Sequence, residues 1–167
     1  MYQVGDKIVY PMQGAGIVKK IEELEIFDTD QKYYLLDIVS EGMEILIPVD
    51  KTEEIGVRRI VEPEVIDEML KSLSGDMGKM NSNWSKRYQD NMEIMKSGDI
   101  FEVASVVKNL MLLDRLKGLS TGEKKMMSSA RNFLISEMVL VKDMTKEEAF
   151  KMIDEAVGSA EGSSEDQ

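Results

Sequence analysis

At 167 residues the chain is long enough for one domain or two small ones. Its 32 acidic residues outweigh 21 basic ones for a formal net charge of −11, and 43% hydrophobic with 32% charged residues is the balance of an ordinary globular chain. It has no cysteine, which excludes disulfides and thiolate zinc sites, and no histidine, which removes the commonest general base and transition-metal ligand and so argues against an enzyme. The first residues, Met1 to Lys7, lack the basic patch and apolar run of a secretory signal, and no apolar run approaches the ~20 residues of a membrane span. A cytoplasmic protein is expected.

Residues 1–62 predict strands. Lys7–Tyr10 stops at Pro11, Gly14 and Gly16 bracket a turn, and Ala15–Glu25 and Gln31–Ser40 follow, rich in β-branched and aromatic residues. Glu41-Gly42 reads as a hairpin turn into Met43–Val49, and Ile55–Arg59 as a fifth short strand. Five short strands without a helix-period segment predict a small antiparallel β-barrel.

Residues 63–158 predict helices, giving an α+β chain of two domains. Pro63 suits a first helical position, with Ile66, Met69, Leu70 and Leu73 on one face. A loop over 72–83, with Gly75, Gly78 and several serines, precedes a stripe of Trp84, Tyr88, Met92 and Met95 that Gly98 stops. Asp99 and Glu102 cap a third helix whose core face is Ile100, Val103, Val107, Leu110 and Met111. Ser120-x-x-Glu123 has the form of a capping box before Met127, Ala130, Leu134, Met138 and Val141. Thr145-x-x-Glu148 opens the last helix, with Ala149, Met152, Ile153 and Ala156, and an acidic, disordered tail is expected over 159–167.

Charge divides the chain at similar points. Residues 1–62 carry 7 basic and 13 acidic residues, residues 63–142 carry 12 and 11, and residues 143–167 carry 2 and 8. Only the helical middle approaches a phosphate backbone without strong repulsion, and its near-neutral balance permits such contact without demanding it.

Two constellations there suit nucleic acid. Trp84, the sole tryptophan, opens a helix and is followed by Lys86 and Arg87, so it is either a wedge between base steps with cations at the phosphates or the first rung of an apolar core stripe. Lys124, Ser128 and Arg131 share a helical face, with Lys125 beside them, near a helix N-terminus suited to a phosphate; the alternative is an ordinary solvated face, and Glu123 weakens the phosphate cradle. The carboxylates Glu22, Glu23, Glu25, Asp28 and Asp30 lack EF-hand spacing and are better explained as a solvated strand edge than as a cation site. Gly14-Ala15-Gly16 is too short for a dinucleotide fingerprint, so neither a cofactor nor a metal is expected.

The string Val4-Gly-Asp-Lys-Ile-Val-Tyr-Pro11, with Gly14-Ala-Gly16 and Ile21-Glu22, resembles the amino-terminal module of CarD/CdnL-type bacterial transcription regulators. Asn83-Trp-Ser-Lys-Arg-Tyr88, Ser97-Gly-Asp99, Gly118-Leu-Ser120, Gly122-Glu-Lys-Lys125, Ala130-Arg131 and Ser136-Glu137 resemble its carboxy-terminal domain, so the likeness covers residues 1 to about 158 in the family's order. The resemblance implies a Tudor-like barrel that binds the β subunit of bacterial RNA polymerase, and a helical domain that touches promoter DNA at the upstream edge of the transcription bubble. It implies that Trp84 wedges into the minor groove, that Lys86, Arg87, Lys124 and Lys125 meet phosphates, and that the protein stabilises the open complex without cofactor, small-molecule substrate, membrane or reaction. Arg131 joins that DNA-facing set by its place on the Lys124 face.

Three positions depart from the family pattern. Leu24 and Leu46 stand where polymerase-facing arginines are expected, so apolar contact would replace ion pairs there, and Gln89 replaces a basic residue after Tyr88. The competing expectation is an adaptor whose barrel binds polymerase while its helices never touch DNA. Exposure of Trp84 separates the two.

Overall fold

Alternation of apolar and polar residues over the first third of the chain builds an antiparallel sheet, in a computed structural model that describes residues 1–39 and 41–165, with side chains described as far as Gly158. The strands are β1 (Lys7–Tyr10), β2 (Gly14–Ile26), β3 (Thr29–Ile38), β4 (Met43–Pro48) and β5 (Arg58–Arg59), in the spatial order β4-β3-β2-β1-β5. Lys19 is an extra residue between the Val18–Leu36 and Lys20–Leu35 pairs, a bulge of the kind that bends a strand. One face gathers Ile8, Val18, Tyr34, Leu36, Ile38 and Ile47 into a small core, with Tyr2, Ile55 and Val57 packed against it.

The five expected strands follow one another in chain order, with three differences. Gly14 and Gly16 lie inside β2, and the turn before it is formed by Pro11 to Gln13. Thr52–Ile55 forms a single helical turn, α1, closed by Gly56 at φ +93°, so only Arg58 and Arg59 of the expected fifth strand pair with β1. The β2–β3 hairpin turns on Phe27 and Asp28, with φ of +53° and +61°, so β3 begins at Thr29. Both residues lie in the left-handed region that glycine or asparagine usually fills in such turns, and this is why the turn is invisible to a search for those residues.

The helices are α2 (Pro63–Ser72), α3 (Trp84–Ser97), α4 (Ile100–Lys117), α5 (Thr121–Lys142) and α6 (Lys146–Glu165). Asn83 caps α3 by accepting from the Lys86 amide, Asp99 caps α4 through the Phe101 and Glu102 amides, and Ser120 caps α5 through the Glu123 amide. α5 is the central helix, buried continuously from Phe133 to Met138. α6 extends to Glu165, into the region where the tail was expected; the rest of that tail lies outside the described residues.

The two halves share one core. Val9 and Ala15, paired across β1 and β2 on the face opposite the small sheet core, pack with residues from all five long helices. Behind them the Ala15 amide donates to Ser136 Oγ at 2.8 Å, and that hydroxyl donates to the Phe133 carbonyl at 2.7 Å. Arg58 holds the fully buried Glu137 carboxylate through Nη1 and Nη2 at 2.7 and 2.8 Å, and its Nε and Nη2 also donate to the Gly98 carbonyl. The Val61 amide donates to the same carboxylate at 2.9 Å. A strand, a linker and a helix junction are thus tied to adjacent residues of α5.

Gly14 is required by this contact. Its φ is +121°, and a Cβ there would lie 2.7 Å from Ser136 Oγ. Gly14→Ala is expected to cost about 1–3 kcal/mol from the backbone alone and to displace the Ser136 hydroxyl from Ala15. A lowered urea midpoint at unchanged slope is the measurement that checks it.

Candidate nucleic-acid interface

The N-termini of α3 and α5 lie side by side, joined by two contacts. At the surface, Trp84 Nε1 donates to Ser120 Oγ at 2.8 Å. Beneath it, Arg87 grips Glu123 with Nε and Nη2 at 2.7 and 2.8 Å, and both side chains are buried. The hydrogen bonds it donates to Glu123 hold the Arg87 guanidinium above its ordinary range, against the opposing effect of burial. Arg87 Nη1 also donates to the Asn81 carbonyl at 3.3 Å, which ties down the segment ahead of α3. Glu123 therefore does not reach back to complete the capping box; its carboxylate is spent on Arg87.

Trp84 is 46% exposed and stacks on Tyr88, with ring centroids 5.5 Å apart and planes 25° from parallel. Gly122 faces the pair from α5, where a Cβ would lie 3.7 Å from Trp84 Cζ2 and Tyr88 Cε2, an ordinary packing distance. The inward face of α3 follows the expected Trp84–Tyr88–Met92–Met95 stripe only in part. Met95 of that stripe is buried and Tyr88 and Met92 are half-buried against the core, but the other fully buried positions are Arg87 and Asn91 and Trp84 is exposed, so the aromatic pair lies at the border of the core. Asn91 Nδ2 is buried without a partner beside a polar cavity of about 180 Å³ bounded by Asn81, Ser105 and Asn109.

The sequence-derived cations separate into two groups. Lys86, Lys124 and Lys125 are exposed near the two helix starts, and Lys86 makes only a 3.4 Å surface pair with Asp90. Arg87 does not belong with them, because the residue is only 7% exposed and its guanidinium is turned inward onto Glu123 and the Asn81 carbonyl. Arg131 is also withdrawn from the Lys124 face. Its guanidinium stacks over the Phe150 ring of α6 at 4.6 Å, its Nε is buried without a partner, and desolvation pushes its pKa down while Asp154 pushes it up. Sharing a helical face does not ensure sharing a surface when another helix packs on one end of it.

Leu24 and Leu46 lie on one outward face of the sheet, opposite the small core. Leu24 pairs with Gln31, and Leu46 pairs with Leu35, which itself pairs with Lys20. Among the described residues no cluster of three Asp or Glu side chains is placed to hold a metal ion, and no helix is long and apolar enough to cross a membrane.

These features define a two-module protein, with a small sheet docked on a helical domain that exposes Trp84 between two helix starts. Residues 2–61 match the family model of the CarD-like/TRCF RID domain, and residues 68–154 match that of the CarD C-terminal domain. The chain is 35% identical over 148 residues to YdeB of Bacillus subtilis (strain 168), which is named as a candidate transcription factor; the match covers 89% of this chain and 97% of that protein. The chain belongs to the CarD family of transcription regulators.

Proposed function

We propose that this protein acts in the cytoplasm by binding the β subunit of bacterial RNA polymerase through the outward face of its sheet around Leu24 and Leu46, and by pressing Trp84 into the promoter minor groove at the upstream edge of the bubble. The open complex is thereby stabilised without sequence readout. The observation that carries this reading is the position of Trp84: a large aromatic side chain, half exposed, braced by Tyr88 and Ser120 on a two-helix platform. A wedge must reach solvent and yet not swivel, and both conditions are met.

The phosphate contacts fall to Lys86, Lys124 and Lys125, with Ser120 a further donor. Ser120 Oγ accepts from both Trp84 Nε1 and the Glu123 amide, so its two lone pairs are engaged and its own proton is available to a phosphate oxygen. Three lysines on a chain of net charge −11 give weak binding to free DNA, because phosphate contacts supply most non-specific affinity. Tethering to polymerase raises the local DNA concentration to about the millimolar range, so weak contact is effective at promoters alone. Unstacking a base step costs a few kcal/mol, which favours a wedge where the duplex is already distorted.

The test is open-complex lifetime with cognate RNA polymerase. Wild-type protein is expected to prolong the lifetime, and Trp84→Ala to lose most of that effect while keeping its fold and its polymerase affinity. A Trp84→Ala protein that prolongs the lifetime as wild type does would leave polymerase binding without DNA contact, the adaptor function.

A further inference from the structure

β2 and β3 outrun their neighbours. β4 pairs with β3 only from Tyr33 to Ile38, and β1 pairs with β2 only from Gly14 to Ile17, whereas β2 and β3 stay paired to Ile26 and Thr29. The end of the hairpin is therefore a two-stranded ribbon that runs on beyond the sheet, tied to the turn after β4 where Gln31 Nε2 donates to Asp50 Oδ1 at 2.7 Å. Phe27 sits at its tip, 96% exposed. Its φ of +53° places a bulky side chain in the left-handed region, where such residues are outliers. A fully solvated phenylalanine gains nothing from burial, and its backbone strain has no compensating contact within the chain.

The apolar character continues from the tip down one face. Ile26 and Leu24 project from the same side of β2; Leu24 is diagonal to Tyr33 on β3, and Leu35 and Tyr33 pair with Leu46 and Pro48 on β4. Ile26 and Leu46 are exposed and the others half-buried. The helical domain covers this side of the sheet only at Val9 and Ala15, at the opposite end of β2. On the opposite face of the ribbon Glu23, Glu25 and Asp30, and at its tip Asp28, have no ion-pair partner among the described residues.

We infer that Phe27 is the anchor of the polymerase-binding surface, and that it inserts into an apolar cleft of the β subunit flanked by basic residues. This rests on the proposed binding of polymerase through the Leu24–Leu46 face. Charge complementarity selects the occupant: the acidic ribbon repels nucleic acid and repels a second copy of itself, whereas a cleft that takes the ribbon end can set apolar groups against the strip on one face and basic groups against the carboxylates on the other. Aromatic anchors seated in desolvated pockets dominate interface energies, and a side chain held on a two-stranded ribbon loses little freedom on docking.

The experiment measures the affinity of the full chain for cognate core RNA polymerase at fixed salt, with thermal unfolding in parallel. Phe27→Asn is expected to weaken binding at least tenfold while the melting temperature stays level or rises, because asparagine tolerates the left-handed conformation. Joint reversal of Glu25 and Asp28 to lysine is expected to weaken it further, and rising salt to weaken the wild type. Wild-type affinity in Phe27→Asn, alongside lost binding in Leu46→Glu, would overturn the anchor and leave the sheet face as the docking surface. Tighter binding after charge reversal would overturn the basic cleft, and a Phe27-dependent dimer in the absence of polymerase would assign the tip to self-association instead. Absence of wild-type binding would overturn this inference together with the polymerase reading beneath it.

Discussion

Glu137→Ala is expected to destabilise the chain by about 3 kcal/mol, the low end of the range for removing one partner of a buried ion pair because Arg58 is part exposed, and to separate the unfolding of its two halves. Glu137 is fully buried and accepts from Arg58 on β5 and from the Val61 amide in the linker. Its loss leaves the part-exposed Arg58 guanidinium held by the Gly98 carbonyl but without its carboxylate, and the Val61 amide without an acceptor. The sheet is poorly placed to compensate, because its own core has six buried side chains and a module of about 60 residues is marginal alone. Urea unfolding followed at two wavelengths checks this. The only tryptophan lies in the helical domain, so fluorescence reports that half while far-UV circular dichroism reports both. Coincident transitions are expected for the wild type, and in Glu137→Ala a loss of strand signal at lower urea than the fluorescence change. Glu137→Gln, which keeps an acceptor for Val61, is expected to fall between them.

The legible features of this chain are local, and the hidden ones link residues far apart. Alternation over β1–β4, Pro63 at a first helical position, and the Asp99 and Ser120 caps are signals contained within a few residues, so the order of strands before helices follows from them. Trp84 as a candidate contact is legible for a similar reason: it opens a helix among polar residues. The face that α3 buries is not legible, because the burial of Arg87 is decided by Glu123, 36 residues away. An arginine in a polar run looks like a surface cation until its partner is placed beside it. Arg131 is misleading in the same manner, since Phe150 arrives from α6 to cover it. Arg58 and Glu137, 79 residues apart, carry no local sign of pairing, although Ser136-Glu137 belongs to the family string. The signal that bears on such pairs is a charged residue at a core position of a predicted helix: Glu137 falls in the most buried stretch of α5.

The Arg87–Glu123 pair leads to the second large effect. Glu123→Ala is expected to cost about 3–5 kcal/mol, because it strands a buried guanidinium. Arg87→Met combined with Glu123→Leu is expected to recover most of that loss, since a well-packed apolar pair often replaces a buried ion pair at little net cost. Function is expected to part from stability in this double variant. The bidentate pair fixes how α3 and α5 meet, and it lies directly beneath the Trp84–Ser120 hydrogen bond. Apolar side chains restore burial without restoring that register, so the open-complex lifetime should fall between those of wild type and Trp84→Ala. The salt dependence of DNA binding then separates positioning from direct contact. Each lost phosphate contact reduces the slope of log affinity against log salt by about 0.9. The double variant is expected to keep the wild-type slope, because Arg87 faces Glu123 and not solvent, whereas joint replacement of Lys124 and Lys125 by alanine should reduce it. A slope reduced by about one in the double variant would mean that Arg87 leaves Glu123 to reach the backbone, and that the pair is a latch opened by DNA.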